Sequence, residues 1–237
     1  MRLEVYDSAE NALRGMTERF VHLLRRHDGL FHLALSGAGT ARRMYDLWVR
    51  EYREAIPWEQ LRFYWVDERC VEPQDEESNF KYADELLFRP LGIPVSHVHR
   101  IGGERVPETE AERYAKLVAR SVAGRSGMPC FDCVILGVGE DGHTASIFPD
   151  ALELLTDGRC YAVARHPLSG QKRITMTGTL ILNSKAILIP VIGQGKTDIL
   201  QKIVNASGDK KTAYPAAYII SHAPEAVIFT DSPIGVR

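Results

Sequence analysis

The segment Leu136-Gly137-Val138-Gly139-Glu140-Asp141-Gly142-His143-Thr144-Ala145-Ser146 sets an imidazole and a carboxylate two residues apart among glycines at 137, 139 and 142. Imidazole titrates near neutral pH and can take a proton from water. A neighbouring carboxylate can fix its orientation, and glycines let a bound molecule come close to the backbone. His143 and Asp141 are therefore the catalytic candidates. Most histidines are structural, and the other seven, His22, His27 and His97 among them, take that reading. His143 stands apart because it lies beyond a core strand in a glycine-rich loop, next to Asp141.

Two further clusters suit an anion. Leu33-Ala34-Leu35-Ser36-Gly37-Ala38-Gly39-Thr40-Ala41-Arg42 runs an apolar segment into a glycine turn that opens a helix. Unpaired N–H groups and the positive end of the helix dipole meet at such a turn, a general way of holding phosphate. Ser36, Gly37 and Thr40 are its candidate ligands. It is neither a Walker A loop nor a G-x-G-x-x-G dinucleotide turn, and a ligand-free capped turn would read the same way. In Trp65-Val66-Asp67-Glu68-Arg69, three charges directly follow an apolar run. Arg69 has a fork that matches two phosphate oxygens; Asp67 or Glu68 would orient a basic group or hold sugar hydroxyls. A solvated loop of mutually paired charges is the alternative, and it is the expected reading for the acids from 72 to 77. Arg173, in Arg173-Ile174-Thr175-Met176-Thr177, and Lys196, after the turn Gly193-Gln194-Gly195, are two more cations that could equally be surface charges.

These clusters require elements that end beside one another. Apolar spacing predicts helices over 10–27, 41–53, 79–87, 108–122 and 195–204, and strands over 31–36, 62–67, 131–137, 160–164, 172–177, 186–192 and 226–230. Alternation of strand and helix, with strands apolar throughout near 31, 62 and 131, predicts one α/β domain over 1–237. Its expected core is a mostly parallel, twisted, Rossmann-like sheet with helices on both faces. In such sheets ligands bind beyond the carboxyl ends of the strands, where the clusters fall. The loosest stretch, 88–107, reads as a connecting loop.

Composition narrows the function further. Of 237 residues 45% are hydrophobic and 25% charged, which excludes a disordered, collagenous or disulfide-stapled chain. A net charge of −2 provides no global field for nucleic acid or an anionic membrane, and no basic helix-turn-helix stretch lies at either end. No apolar run approaches the roughly 20 residues of a membrane span. The first residues lack the build of a signal peptide, so a cytoplasmic location with reduced cysteines is expected. Cys130-Phe131-Asp132-Cys133 reads as the entry to a buried strand rather than a redox or zinc motif. No G-x-S-x-G elbow, H-E-x-x-H or H-x-E…C-x-x-C arrangement is present, so neither a serine nucleophile nor a catalytic zinc is indicated. A metal-free, cofactor-free site is expected.

Together the motifs resemble the 6-phosphogluconolactonase family, within the wider group of sugar-phosphate isomerases. The resemblance rests on Ser36-Gly-Ala-Gly-Thr40, Trp65-Val-Asp-Glu-Arg69 with Glu77-Ser-Asn79, Gly137 to Pro149, Arg173 to Thr177, and Gly195-Lys196, in the family's order over nearly the whole chain. The family usually reads Ser-Gly-Gly-Ser/Thr in the first loop, where Ala38 and Gly39 stand here. The resemblance implies hydrolysis of 6-phospho-D-glucono-1,5-lactone to 6-phosphogluconate in the oxidative pentose phosphate pathway. The protein would then be a carboxylic ester hydrolase acting on a small sugar-phosphate lactone as a monomer or small homo-oligomer. By the same resemblance His143 activates water and Asp141 orients it. Ser36, Gly37, Thr40, Arg69 and Lys196 hold the phosphate, Arg173 assists, and Asp67 lies near the sugar. The nearest rival is the related glucosamine-6-phosphate deaminase, whose usual Asp-Glu-Tyr and Ile-Ala-Phe-Asn stretches differ from Arg69 and Thr144-Ala145-Ser146. A non-catalytic sugar-phosphate sensor is the rival of another class.

Overall fold

The structure is a computed structural model and describes residues 2–206 and 213–234. Six parallel strands form the main sheet: Arg2–Val5 (β1), Phe31–Leu35 (β2), Leu61–Trp65 (β3), Cys133–Ile135 (β7), Ile187–Val191 (β10) and Val227–Thr230 (β11). Their order is β1-β11-β10-β7-β2-β3. The four central strands are buried almost end to end, as a sheet covered on both faces requires. Cys130 and Cys133 are buried free thiols, in keeping with their structural reading.

The helices are Ala9–Arg25 (α1), Ala38–Glu51 (α2), Asn79–Ala83 (α3), Arg89–Leu91 (α4), Pro107–Ser121 (α5), Gly178–Leu182 (α6), Thr197–Val204 (α7) and Pro215–His222 (α8). Ser8 caps α1 by accepting the Asn11 N–H, and Ala12, Leu13, Met16, Phe20 and Leu24 form its buried stripe. Trp48 of α2 stacks on Phe20 at 5.2 Å and donates to the Thr17 hydroxyl, so the indole is buried without losing its hydrogen bond. A π-helical turn, Asp84–Phe88, joins α3 to α4.

The sheet departs from expectation at three places. Strands were expected over 160–164 and 172–177 as part of the regular alternation. They form, as Tyr161–Arg165 (β8) and Lys172–Met176 (β9), but in a separate antiparallel sheet with Asp67–Arg69 (β4), ordered β4-β9-β8. The chain leaves β3 at Trp65 and passes through Val66, whose carbonyl accepts the Met176 N–H, into β4. The charged triplet is thus a strand, not a loop. In it Asp67 opposes Thr175 and Arg69 opposes Arg173, so these four side chains share one face. Edge strand β1 and helix α8 were not anticipated: β1 spans only four residues, and α8 is too uniformly apolar to show a period. A two-residue hairpin, Gly124–Arg125 (β5) with Met128–Pro129 (β6), follows α5. One apolar cluster runs through both sheets, from Leu33 and Val134 to Tyr161 and Ile174.

Candidate active site

The carboxyl ends of β2, β3, β7 and β10 converge with the polar face of the antiparallel sheet on one open cavity of about 480 Å³. Ser36, Gly37, Asp67, Arg69, Asp141, His143, Arg173 and Lys196 all line it. Thr40 does not line it. It lies in the first turn of α2, beyond the N-cap Gly37, so the loop contributes through Ser36 and Gly37. Gly37 supplies no side-chain oxygen to the first N–H groups of this helix.

Beyond β7, the Asp141 carboxylate accepts from His143 twice, from the backbone N–H at 3.1 Å and from ring Nδ1 at 2.5 Å. Burial works against the carboxylate, but these two bonds outweigh it and bring Asp141 down to about 2. An ionised Asp141 only accepts, so the proton sits on His143 Nδ1 and the lone pair on Nε2. The loop closes on itself: Gly139 donates to the His143 carbonyl, and Thr144 donates to the Gly137 carbonyl at 2.8 Å. A Cβ at position 139 would collide with the imidazole and lie 2.6 Å from Asp141 Oδ1, so only glycine lets the pair sit here. The His143 ring packs 4.8 Å from fully buried Phe148. Ala145, on the cavity wall, holds φ +51°, a left-handed conformation uncommon outside glycine.

Ser36 Oγ accepts the Gly137 N–H at 3.0 Å, joining the β2 loop to the β7 loop. Asp67 is buried and fixed from two sides. Ser146 Oγ donates to it at 2.7 Å, and Asn79 Nδ2 reaches its carbonyl at 3.0 Å. Asn79 packs directly on Gly37, where a Cβ would overlap it. Glu68 points away from this arrangement. Its oxygens accept the N–H groups of Arg69, Asn79 and Phe80, each at 2.8 Å, and the Ser78 hydroxyl at 3.2 Å. Burial pushes its carboxyl up to about 7, against the pull of those N–H groups. Of the two acids, Asp67 faces the cavity and Glu68 anchors its wall.

The two arginines are the unusual feature. Arg69 and Arg173 oppose each other across β4 and β9, and neither forms an ion pair among the described residues. Arg69 Nη1 donates to the Glu77 carbonyl at 2.5 Å, while its buried Nε has no partner among the described residues. Arg173 is 9% exposed and makes only long bonds, 3.4 Å to Gln171 and 3.5 Å to Ser146. Burial, and then the charge of Arg69, lower its pKa. Two like charges held together in a half-dry cleft favour an anion between them. Lys196 adds a third cation, 3.9 Å from exposed Glu140. Sequence reasoning quoted Asn79 only within Glu77-Ser-Asn79 and gave it no place in the site, whereas Asn79, which follows the Ser78 cap of α3, lines the cavity. It also assigned His166 to the structural histidines, whereas His166 lines the cavity.

Residues 6–229 match the family described as glucosamine-6-phosphate isomerases/6-phosphogluconolactonase. The chain belongs to this family. It is 39% identical to a 6-phosphogluconolactonase of Treponema pallidum over 205 residues, 86% of this chain and 85% of that one. Among solved structures, the devB protein superposes with a TM-score of 0.89 at 35% identity, over 97% of this chain and 95% of that one. A monomeric glucosamine-6-phosphate deaminase superposes with a TM-score of 0.81 at 19% identity over 97% of each chain. The fold is therefore common to members with different chemistry.

Proposed function

We propose that the protein hydrolyses 6-phospho-D-glucono-1,5-lactone to 6-phosphogluconate, the lactone-opening step of the oxidative pentose phosphate pathway. The observation that carries this reading is the pairing, in one cavity, of two opposed arginines with no ion-pair partner among the described residues and a histidine whose free nitrogen is set by Asp141. The similarity to 6-phosphogluconolactonases supports the choice of substrate.

In this reading Arg69, Arg173 and Lys196 hold the phosphate, aided by Ser36 and Gly37, and Asp67 lies near the sugar hydroxyls. The phosphate is remote from the reacting carbon, so its binding supplies orientation rather than chemistry. His143 Nε2 takes a proton from water as the water oxygen bonds to the lactone carbonyl carbon. The tetrahedral oxyanion collapses, the bond to the ring oxygen breaks, and Nε2–H returns its proton to that oxygen. The new carboxylic acid then ionises, so each turnover releases one proton to solvent. Asp141 remains a carboxylate throughout and stabilises the transient imidazolium. A lactone is an activated ester, and this mechanism forms no covalent intermediate.

The test is acid release at constant pH from freshly generated 6-phosphogluconolactone, measured against the spontaneous rate. Wild type is run beside His143→Ala, with glucosamine 6-phosphate as a parallel substrate. Acceleration that is lost in the variant is expected. No acceleration on the lactone, with ammonia release from the amino sugar, would assign the site to deamination.

A further inference from the structure

His166 opens the β8–β9 connection, where its backbone is fixed by its N–H donating to Gln171 and its carbonyl accepting from Gly170, both at 2.9 Å. Its ring Nδ1 accepts the N–H groups of Leu168 at 3.3 Å and Ser169 at 3.2 Å. A nitrogen that accepts carries no proton, so the imidazole is neutral and its proton is on Nε2. Burial, followed by the nearby charge of Arg173, also lowers the His166 pKa. The ring stands edge-on to Phe148 at 5.2 Å, the aromatic against which His143 packs, and Arg173 lies 5.6 Å from the same ring. Since His166 lines the cavity and its Nδ1 is engaged by its own loop, Nε2–H is the nitrogen left to face a ligand.

We propose that His166 is a positioning residue for the ligand phosphate, donating from Nε2–H to a phosphate oxygen held by Arg173. The assignment rests on the sugar-phosphate reading above and extends it to a fifth element, the β8–β9 turn. A neutral imidazole adds a directed donor without adding to the repulsion between Arg69 and Arg173. Its orientation is set beforehand by the two loop N–H groups, so little freedom is lost on binding. His166 takes no part in the proton transfers at His143.

Three substitutions separate the donor from the loop brace. His166→Gln places an amide N–H near the position of Nε2. His166→Asn places a carbonyl near Nδ1, where it can keep the two loop bonds but cannot reach the ligand. His166→Phe keeps the packing on Phe148 and loses both nitrogens. The affinity of inorganic phosphate is measured by titration calorimetry, alongside kcat and KM on the lactone. Expected are a loss of phosphate affinity and a rise in KM of about 10-fold or more in the Asn and Phe variants. The Gln variant should stay within about threefold of wild type, with kcat little changed in all three. Rescue by Asn but not Gln, wild-type phosphate affinity in the Phe variant, or a fall in kcat at unchanged KM would each overturn the assignment. Phosphate affinity is read without turnover, so a wild type inactive on the lactone would defeat the proposed reaction and still leave this test decisive.

Discussion

Gly139→Ala isolates the placement of His143 from its chemistry. Ordinary contact for a Cβ begins at about 3.4 Å, whereas one at position 139 would stand 2.6 Å from Asp141 Oδ1 and closer still to the imidazole. The carboxylate would have to retreat by about 0.8 Å and the ring farther, which breaks the 2.5 Å bond from Nδ1. The backbone at 139 is outside the left-handed region, so alanine itself fits there. Displacements of about 1 Å at a reacting group cost on the order of 100-fold in rate, and general-base catalysis contributes about 10²–10⁴. The expected result is a kcat lower by about 100-fold, KM within a few-fold of wild type, and a nearly unchanged Tm, because the displaced groups are partly exposed. Gly158→Ala, where nothing lies within 4 Å and the cavity is not involved, is the control. Stopped-flow or constant-pH acid release gives both constants. A folded Gly139→Ala enzyme with kcat within threefold of wild type would refute the argument that the Asp141–His143 geometry governs turnover.

Three further outcomes follow from the same structure. Arg173→Met removes half of the opposed guanidinium pair: KM for the lactone should rise by about 10- to 100-fold, while the ligand-free Tm does not fall because a repulsion is relieved; a lower ligand-free Tm by calorimetry would contradict this. Glu68→Gln turns an accepting oxygen into a donor against backbone N–H groups, at about 1–3 kcal/mol. At about 2–4 °C per kcal/mol for a chain of this size, thermal unfolding should show a clear loss, and an unchanged Tm would reject the anchoring role. His32 and His99 both pack on Tyr64, and burial lowers the pKa of each. The unfolded chain protonates them first, near pH 6.5, whereas Glu68, raised to about 7, binds its proton first in the folded state and works the other way; in Glu68→Gln, which removes that opposing titration, stability should fall as pH drops below about 6.5, and a Tm of this variant equal at pH 7.5 and 5.5 would contradict the sign.

What was legible in the sequence was local. Asp141 and His143 are two residues apart in one loop, so their pairing needed no knowledge of the fold, and the apolar runs of β2, β7 and β10 announced a covered parallel sheet. The proposed phosphate side was harder to read. Arg69 and Arg173 lie far apart in sequence, and only the antiparallel pairing of β4 with β9 brings them opposite each other. Neither strand advertises that pairing, since β4 is a three-residue segment of charges. Thr40 is not among the residues lining the cavity for a related reason: a loop motif fixes the cap at Gly37, while Thr40 already belongs to the first turn of the helix. Asn79 stood only in the Glu77-Ser-Asn79 stretch of the resemblance, with no role assigned, and His166 carried no local signal. Each is recruited by contacts with distant segments, Asn79 by Asp67 and Gly37, and His166 by Phe148.

The main sheet alone does not decide the reaction, because a deaminase shares the fold at 19% identity. On the proposed reading its strand ends supply a turn at Gly37 for an anion and a loop that carries His143, parts that would serve ring opening as well as ester hydrolysis. The antiparallel sheet adds what the parallel sheet cannot. It places Arg69 and Arg173 on the face that also carries Asp67, and Ser146 bonds Asp67 from within the His143 loop. Asp67 is thereby locked between the two halves of the cavity, with Asn79 on its other side. A ligand whose phosphate sits between the arginines is then held at a fixed reach from Nε2 of His143, and its reacting carbon has to lie at that reach. Specificity on this account is a distance set by the junction of two sheets, so changes at Ser146 or Asn79 should alter which sugar phosphates turn over before they alter whether phosphate binds.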